Sequence, residues 1–313
     1  MSDIRDEWLA YGRERARPSD RPDNEKHWST EFDCIPRDLL KVPVTHRDEW
    51  LDDQRANPPW GSFSPLRHDR WLERGWMLFS TSGTSAAAPR MFRHTTFDRD
   101  LWAWLGARAL HAMGVKRGDI ALNCFGYGTS VAFWGLHYAL NLMGVPVIPG
   151  GGSNTERRVS FLQNFKPTVL LCTLSYALHL GRTAMELGHD PATSSVKQVV
   201  VAGEIGASIM STKARIEELW GATVHDDFGC TEVAMSPMGY TCAYQAARKD
   251  RVDPHLMEDA YRVEVLDPRT WTPVPSGERG LKGLLGIEVK VKCLPPSTLP
   301  RTEAKAKRLF DSR

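Results

Sequence analysis

The sequence predicts an α/β protein built on mostly parallel sheets layered with helices, and two observations predict it. Short runs that are almost wholly apolar recur along the chain. They lack the polar alternation of a half-exposed strand, as strands buried on both faces must. Each run also leads into a small-residue loop and then a segment of helical character, the order that right-handed crossovers between parallel strands require.

The elements follow in order. Residues 1–75 are rich in charge, Trp and Pro and read as helices and loops that wrap a core supplied by later sequence, with Trp50, Trp60 and Trp71 as packing anchors. Trp76-Met77-Leu78-Phe79 is a short strand entering a Ser/Thr/Gly loop. A helix spans 96–113, with Asp98 and Asp100 near its start and Gly114 just past its end. Strand–helix pairs then repeat: 119–124 with 131–143, 145–148 with 154–164, and 168–172 with 175–187. Residues 196–202 form a further strand, 211–220 a helix and 223–228 a strand ending at Gly229. Strand character returns at 261–266, and Pro268, Pro273, Pro275, Gly277 and Gly280 mark turns. Beyond Gly280 the pattern degrades into a basic, Pro-containing tail.

Composition narrows the function classes. Among 313 residues, 42% are hydrophobic and 25% charged, the balance of a water-soluble globular chain with room for an enzyme. A net charge of +2 supplies no field that would argue for nucleic acid as a partner. No stretch approaches a membrane span and the charged N-terminus has no apolar signal region, so a cytoplasmic location is expected. Six scattered cysteines without a C-x-x-C pair do not make a disulfide framework.

Three loops could carry chemistry. Ser80-Thr81-Ser82-Gly83-Thr84-Ser85 follows a strand and offers hydroxyls and backbone N–H groups to phosphate oxygens, although such loops are more often plain turns. It lacks the Lys-Ser/Thr of a Walker loop. Phe228-Gly229-Cys230-Thr231-Glu232 sits where a strand ends, so a hydroxyl and a carboxylate there can hold Mg²⁺ beside phosphates. A helix cap by Thr231 reads the same residues equally well. Val201-Ala202-Gly203-Glu204 offers acceptors to an adenine amino group, or is only a βα loop.

The three loops in this order resemble the AMP-binding domain of the acyl/aryl-CoA synthetase and luciferase superfamily. Gly126-Tyr127-Gly128, Gly135-Leu136-His137-Tyr138, Val145-Pro146-Val147-Ile148-Pro149, Asn154-Thr155-Glu156-Arg157 and Phe165-Lys166-Pro167-Thr168-Val169-Leu170 look like its phenylacetate–coenzyme A ligase branch. The resemblance implies the large N-terminal domain of an adenylate-forming enzyme. It places Ser82, Gly83, Thr84 and Ser85 on a phosphate loop, Gly203 and Glu204 on the adenine side, and Asp226, Phe228 and Gly229 beside the adenine and acyl-adenylate. Thr231 and Glu232 become the candidates for catalysis at the α-phosphate, with Glu232 on Mg²⁺, and Tyr127, Gly150 and Gly151 wall a carboxylate pocket. The implied co-substrates are ATP and coenzyme A, and the implied partner is an aryl or arylacetic acid. A homodimer is left open.

Two departures qualify this reading. The family loop continues with Gly-Lys-Pro, whereas this chain reads Ala86-Ala87-Ala88-Pro89-Arg90. The tail 281–313 shows no recognisable lid domain, so it reads as unrelated sequence following a core at 76–280. Without a lid the expected activity is impaired: weak adenylation and no appreciable thioester formation, or nucleotide binding alone. Cys242 and His255 match half of a zinc site that some relatives carry. Four ligands close such a site and Cys293 does not complete it, so a packed thiol and a surface imidazole are the preferred reading.

Overall fold

The computed structural model describes residues 47–62, 68–81, 89–204, 206–232, 237–248, 252, 254–257 and 260–261. The chain divides into two compact units, one holding 1–65, 82–90 and 262–313 and the other 66–81 and 91–261. In the first unit the described chain forms helix α1 (Arg47–Ala56). The Asp53 carboxylate holds the turn after it, accepting the backbone N–H of Ser62 at 2.7 Å and the amide of Asn57 at 3.1 Å.

The second unit opens with α2 (His68–Arg74) and a two-stranded antiparallel ribbon, β1 (Gly75–Ser80) and β2 (Met91–Thr95). Helix α3 (Thr96–Ala112) follows at once, because Thr95 and Asp98 make a reciprocal capping box. The βα units then run β3 (Ala121–Asn123), α4 (Val131–Met143), β4 (Val147–Pro149), α5 (Thr155–Phe165), β5 (Val169–Cys172), α6 (Leu174–Glu186), β6 (Gln198–Ala202), α7 (Met210–Trp220) and β7 (Thr223–Phe228). The short β8 (Gly239–Tyr240), α8 (Ala243–Ala247) and β9 (His255–Leu256) close the described chain.

The large sheet has the order β4-β3-β5-β6-β7-β8-β9, parallel from β4 to β7 and antiparallel at β8 and β9. One face carries the main core, where Leu122, Leu170, Val199, Val201 and Val224 meet Leu180, Ile216 and Trp220 of the helices. The intervening Ala121, Val169, Leu171, Val200 and His225 are buried as well. Burial on both faces explains the unbroken apolar runs of the sequence. Trp220 donates its indole N–H to the Ala177 carbonyl at 3.0 Å, pinning α7 to α6. Buried Lys213 pairs with Glu217, which also accepts the Val224 N–H and ties α7 to β7.

The expected elements from 96 to 228 are present with small shifts at their ends. The strand read at 145–148 begins only at Val147, because Gly144 ends α4 at φ +73 and Val145 returns its N–H to Leu140. Of the strand read at 261–266, Tyr261 lies in a turn bonded to the Met257 carbonyl, and the rest lies outside the described residues. The ribbon partner β2 and the strands β8 and β9 have no counterpart in the sequence reading. Two of them are two residues long, too short to carry a period.

Candidate functional site

Because β3 to β7 run parallel, their carboxyl ends and the loops that follow share one edge of the sheet, where ligands collect in open α/β folds. That edge receives the Tyr127 loop after β3, Gly150 and Gly151 after β4, Thr173 to Ser175 after β5, Gly203 and Glu204 after β6, and Gly229 to Glu232 after β7. The predicted residues Tyr127, Gly150, Gly151, Gly203, Glu204, Phe228, Gly229, Thr231 and Glu232 therefore lie along one edge. The phosphate-loop candidates Ser82, Gly83, Thr84 and Ser85 lie outside the described residues, as does the departure at Ala86 to Ala88.

At the end of β6, Gly203 adopts φ +78, which a side chain would strain. The Glu204 carboxylate turns to the start of α6, accepting the Ser175 backbone N–H at 2.8 Å and its hydroxyl at 2.7 Å. Its side chain is thereby committed to a helix N-terminus, and the exposed backbone of Gly203 remains for a ligand.

Strand β7 carries an aspartate pair whose members face opposite sides of the sheet. Asp226 accepts the Ser208 hydroxyl at 2.5 Å, and its backbone N–H donates to the Thr241 hydroxyl at 2.8 Å. Burial raises its carboxyl above the usual range and the Ser208 bond offsets part of that. Asp227 is only 6% exposed, and burial together with the neighbouring Asp226 pushes its carboxyl up to about 8. Beside it the Tyr261 hydroxyl is buried, with no hydrogen-bond partner among the described residues. Phe228 packs its ring against Gly239, where a Cβ would overlap it. Thr231 and Glu232 follow in a half-buried turn. A hydroxyl and a carboxylate are hard oxygen donors of the kind Mg²⁺ takes, and among the described residues no group of three His, Cys, Asp or Glu side chains gathers around them.

Tyr127 is 44% exposed and rests on the rings of Phe133 and Trp134, with centroids at 3.5 and 5.2 Å. Trp134 donates its indole N–H to the Gly128 carbonyl at 3.0 Å. Ser80, at the end of β1, bonds Thr129 through both backbone and side chain, each at 2.8 Å. The strand preceding the phosphate-loop candidates is thus anchored to the Tyr127 loop. Cys242 and His255 do come together, with Sγ and Nε2 3.1 Å apart. Among the described residues no third ligand joins them.

The sequence reading missed Asp227, Ser208, Thr241 and Arg158. The first could have been flagged as a second carboxylate in a strand otherwise buried on both faces. Arg158 reads locally as the exposed face of an amphipathic helix, and only the fold buries it.

Comparison with known proteins agrees with this fold. The chain is 31% identical over 243 residues to phenylacetate–coenzyme A ligase of Aromatoleum evansii, and 30% identical over 244 residues to that of Thermus thermophilus. Each match covers 78% of this chain and 51% of the relative. Among solved structures, an open conformation of 2-hydroxyisobutyryl-CoA ligase with 2-HIB-AMP and CoA matches with a TM-score of 0.69 at 26% identity. It covers 76% of this chain and 50% of the other. The fold is that of the AMP-binding, adenylate-forming enzymes, and within that superfamily the chain is phenylacetate–coenzyme A ligase-like. It spans about half the length of the curated relatives it matches. Residues 276–313 match the family model of the AMP-binding enzyme C-terminal domain. That match stands against the expectation that 281–313 is unrelated sequence. The stretch has no helical cap, little amphipathic period and a basic, Pro-containing end, so neither local pattern nor the lid motifs mark it as related. No helix among the described residues is long and apolar enough to cross a membrane.

Proposed function

We propose that this chain binds ATP and a small carboxylic acid and joins them as an acyl-adenylate, the first step of a carboxylate–coenzyme A ligase. The observation that carries the reading is the single sheet edge on which the Tyr127 loop, the Gly150–Gly151 turn, Gly203 and the Thr231–Glu232 turn converge. In this reaction a carboxylate oxygen attacks the α-phosphorus of ATP, and the bond to pyrophosphate breaks. The thiol of coenzyme A then attacks the acyl carbon and releases AMP. Thr231 and Glu232 would hold Mg²⁺, which when bound neutralises phosphate charge. Gly203 offers its backbone to the adenine, and Asp226, beside Phe228, borders it. By family resemblance Ser82 to Ser85 are the candidates for the phosphates. Tyr127, Phe133 and Trp134 make an aromatic wall suited to an aryl or arylacetic acid. Co-substrates of this kind go with a cytoplasmic setting.

The test is acid-dependent exchange of labelled pyrophosphate into ATP, with phenylacetate, benzoate and 2-hydroxyisobutyrate as probes. Exchange above the acid-free rate, requiring Mg²⁺ and lowered at least tenfold in Glu232→Gln, is the expected result. ATP binding with no exchange for any acid would make the chain a nucleotide-binding protein only. Formation of acyl-CoA in the same mixtures reports whether the second step also runs.

A further inference from the structure

We propose that Arg158 is the residue that positions the acid pocket, holding the Gly150–Gly151 turn and, through it, the Tyr127 loop. The inference rests on the acid-binding reading above and names what sets the shape of that pocket. Arg158 lies on α5, and its side chain is only 9% exposed. Burying a guanidinium costs several kcal/mol unless its donors are met, and no carboxylate pairs with it among the described residues. Its donors go instead to backbone, with Nε on the Gly150 carbonyl at 2.8 Å and Nη2 on the Gly151 carbonyl at 3.3 Å. The Tyr176 ring lies 4.8 Å from the guanidinium carbon, and Tyr176 in turn donates its hydroxyl to Thr155 at 3.2 Å. A charged fork therefore grips two successive carbonyls, a geometry that a lysine cannot reproduce.

The grip reaches the pocket through direct contact. A Cβ at Gly151 would overlap the Phe125 carbonyl oxygen and lie 3.0 Å from the Tyr127 backbone nitrogen, so the turn backs directly onto the loop. Gly150 is fixed from the other side, donating its N–H to the Asn123 carbonyl at 2.9 Å at the end of β3. Moving the two carbonyls must move the backbone under Tyr127, whose ring rests on Phe133 and Trp134. Cys124 and Cys172, which carry the field of the same guanidinium, are buried thiols and offer it no counter-charge. Burial pushes Cys124 up to about 12 and Cys172 well above its usual value.

The experiment compares the unchanged chain with Arg158→Gln and Arg158→Lys by calorimetric titration of phenylacetate, 2-hydroxyisobutyrate and Mg–ATP. Expected is an acid affinity at least tenfold weaker in Arg158→Gln and intermediate in Arg158→Lys, with Mg–ATP affinity unchanged within twofold. Equal acid affinity in a folded Arg158→Gln, or an equal loss for acid and nucleotide, would overturn the proposal. Should neither acid bind the unchanged chain, the acid-binding reading fails by itself. Arg158 is then decided by amide hydrogen exchange. Tenfold faster exchange confined to residues 125–130 and 150–153 in Arg158→Gln upholds the positioning role, and unchanged exchange there overturns it.

Discussion

Asp227 is the residue whose energetics depart furthest from expectation. Its carboxyl, raised from the usual value near 3.8 to about 8, keeps a proton in the folded chain that the unfolded chain has already released. Between those values the folded state binds more protons, so this group's contribution makes stability fall as pH rises and levels off above about 8. His94 and His225, neutral and lowered to about 4 by burial, act in the opposite direction, since stability is lost as pH falls below their unfolded range. Comparing Asp227→Asn with the parent at each pH cancels the histidines. Urea unfolding should give similar stability near pH 4 and a variant more stable by on the order of a few kcal/mol at pH 8. Parallel curves across that range would show that Asp227 is ionised in the folded chain. Glu232 tests the site at the same scale: Glu232→Gln should weaken Mg-dependent ATP binding by about 1–3 kcal/mol, read by calorimetry.

Among the elements, α6 shows how a predicted ligand residue can serve the fold as well. Its first turn is held by Thr173, which accepts the Tyr176 N–H at 3.3 Å, and by Glu204, which takes both donors of Ser175. A carboxylate at a helix N-terminus satisfies N–H groups that have no intrahelical partner and offsets the helix dipole. Glu204→Ala should therefore lower stability by about 1–2 kcal/mol in denaturant unfolding. Lost ATP affinity without lost stability would instead assign the side chain to the nucleotide. The Glu204 loop is consequently a junction, in which the end of β6 and the start of α6 share one turn.

For the whole second unit, ligand binding and stability are linked by mass action. A nucleotide that binds only the folded chain adds about 2.7 kcal/mol at a hundred times its dissociation constant. Thermal unfolding should therefore shift upward with Mg–ATP in the parent, and by less at the same concentration in Glu232→Gln. An equal shift in both would remove Glu232 from the nucleotide site. Such a shift also reports binding independently of turnover.

The βα order, the parallel sheet and the loops that bear Tyr127, Gly150, Gly203 and Thr231 were legible in the sequence, because burial on both faces leaves apolar runs and glycine turns that local pattern records. The family was legible as well, in motifs spread from the Ser80 loop to Glu232. What local pattern cannot record is which side chain meets which across the fold. Glu204 and Ser175 are 29 positions apart, Ser208 and Asp226 are 18 apart, and Ser80 and Thr129 are 49 apart. Arg158 belongs to the same class. A helix period places it among polar neighbours, and only the approach of β4, α5 and α6 turns it into a buried cation on two carbonyls. The sequence by itself determined the class of fold and the loops that share one edge of its sheet. The tertiary structure alone decided which charges are buried there and what holds them, since burial and hydrogen bonding depend on contacts between distant segments.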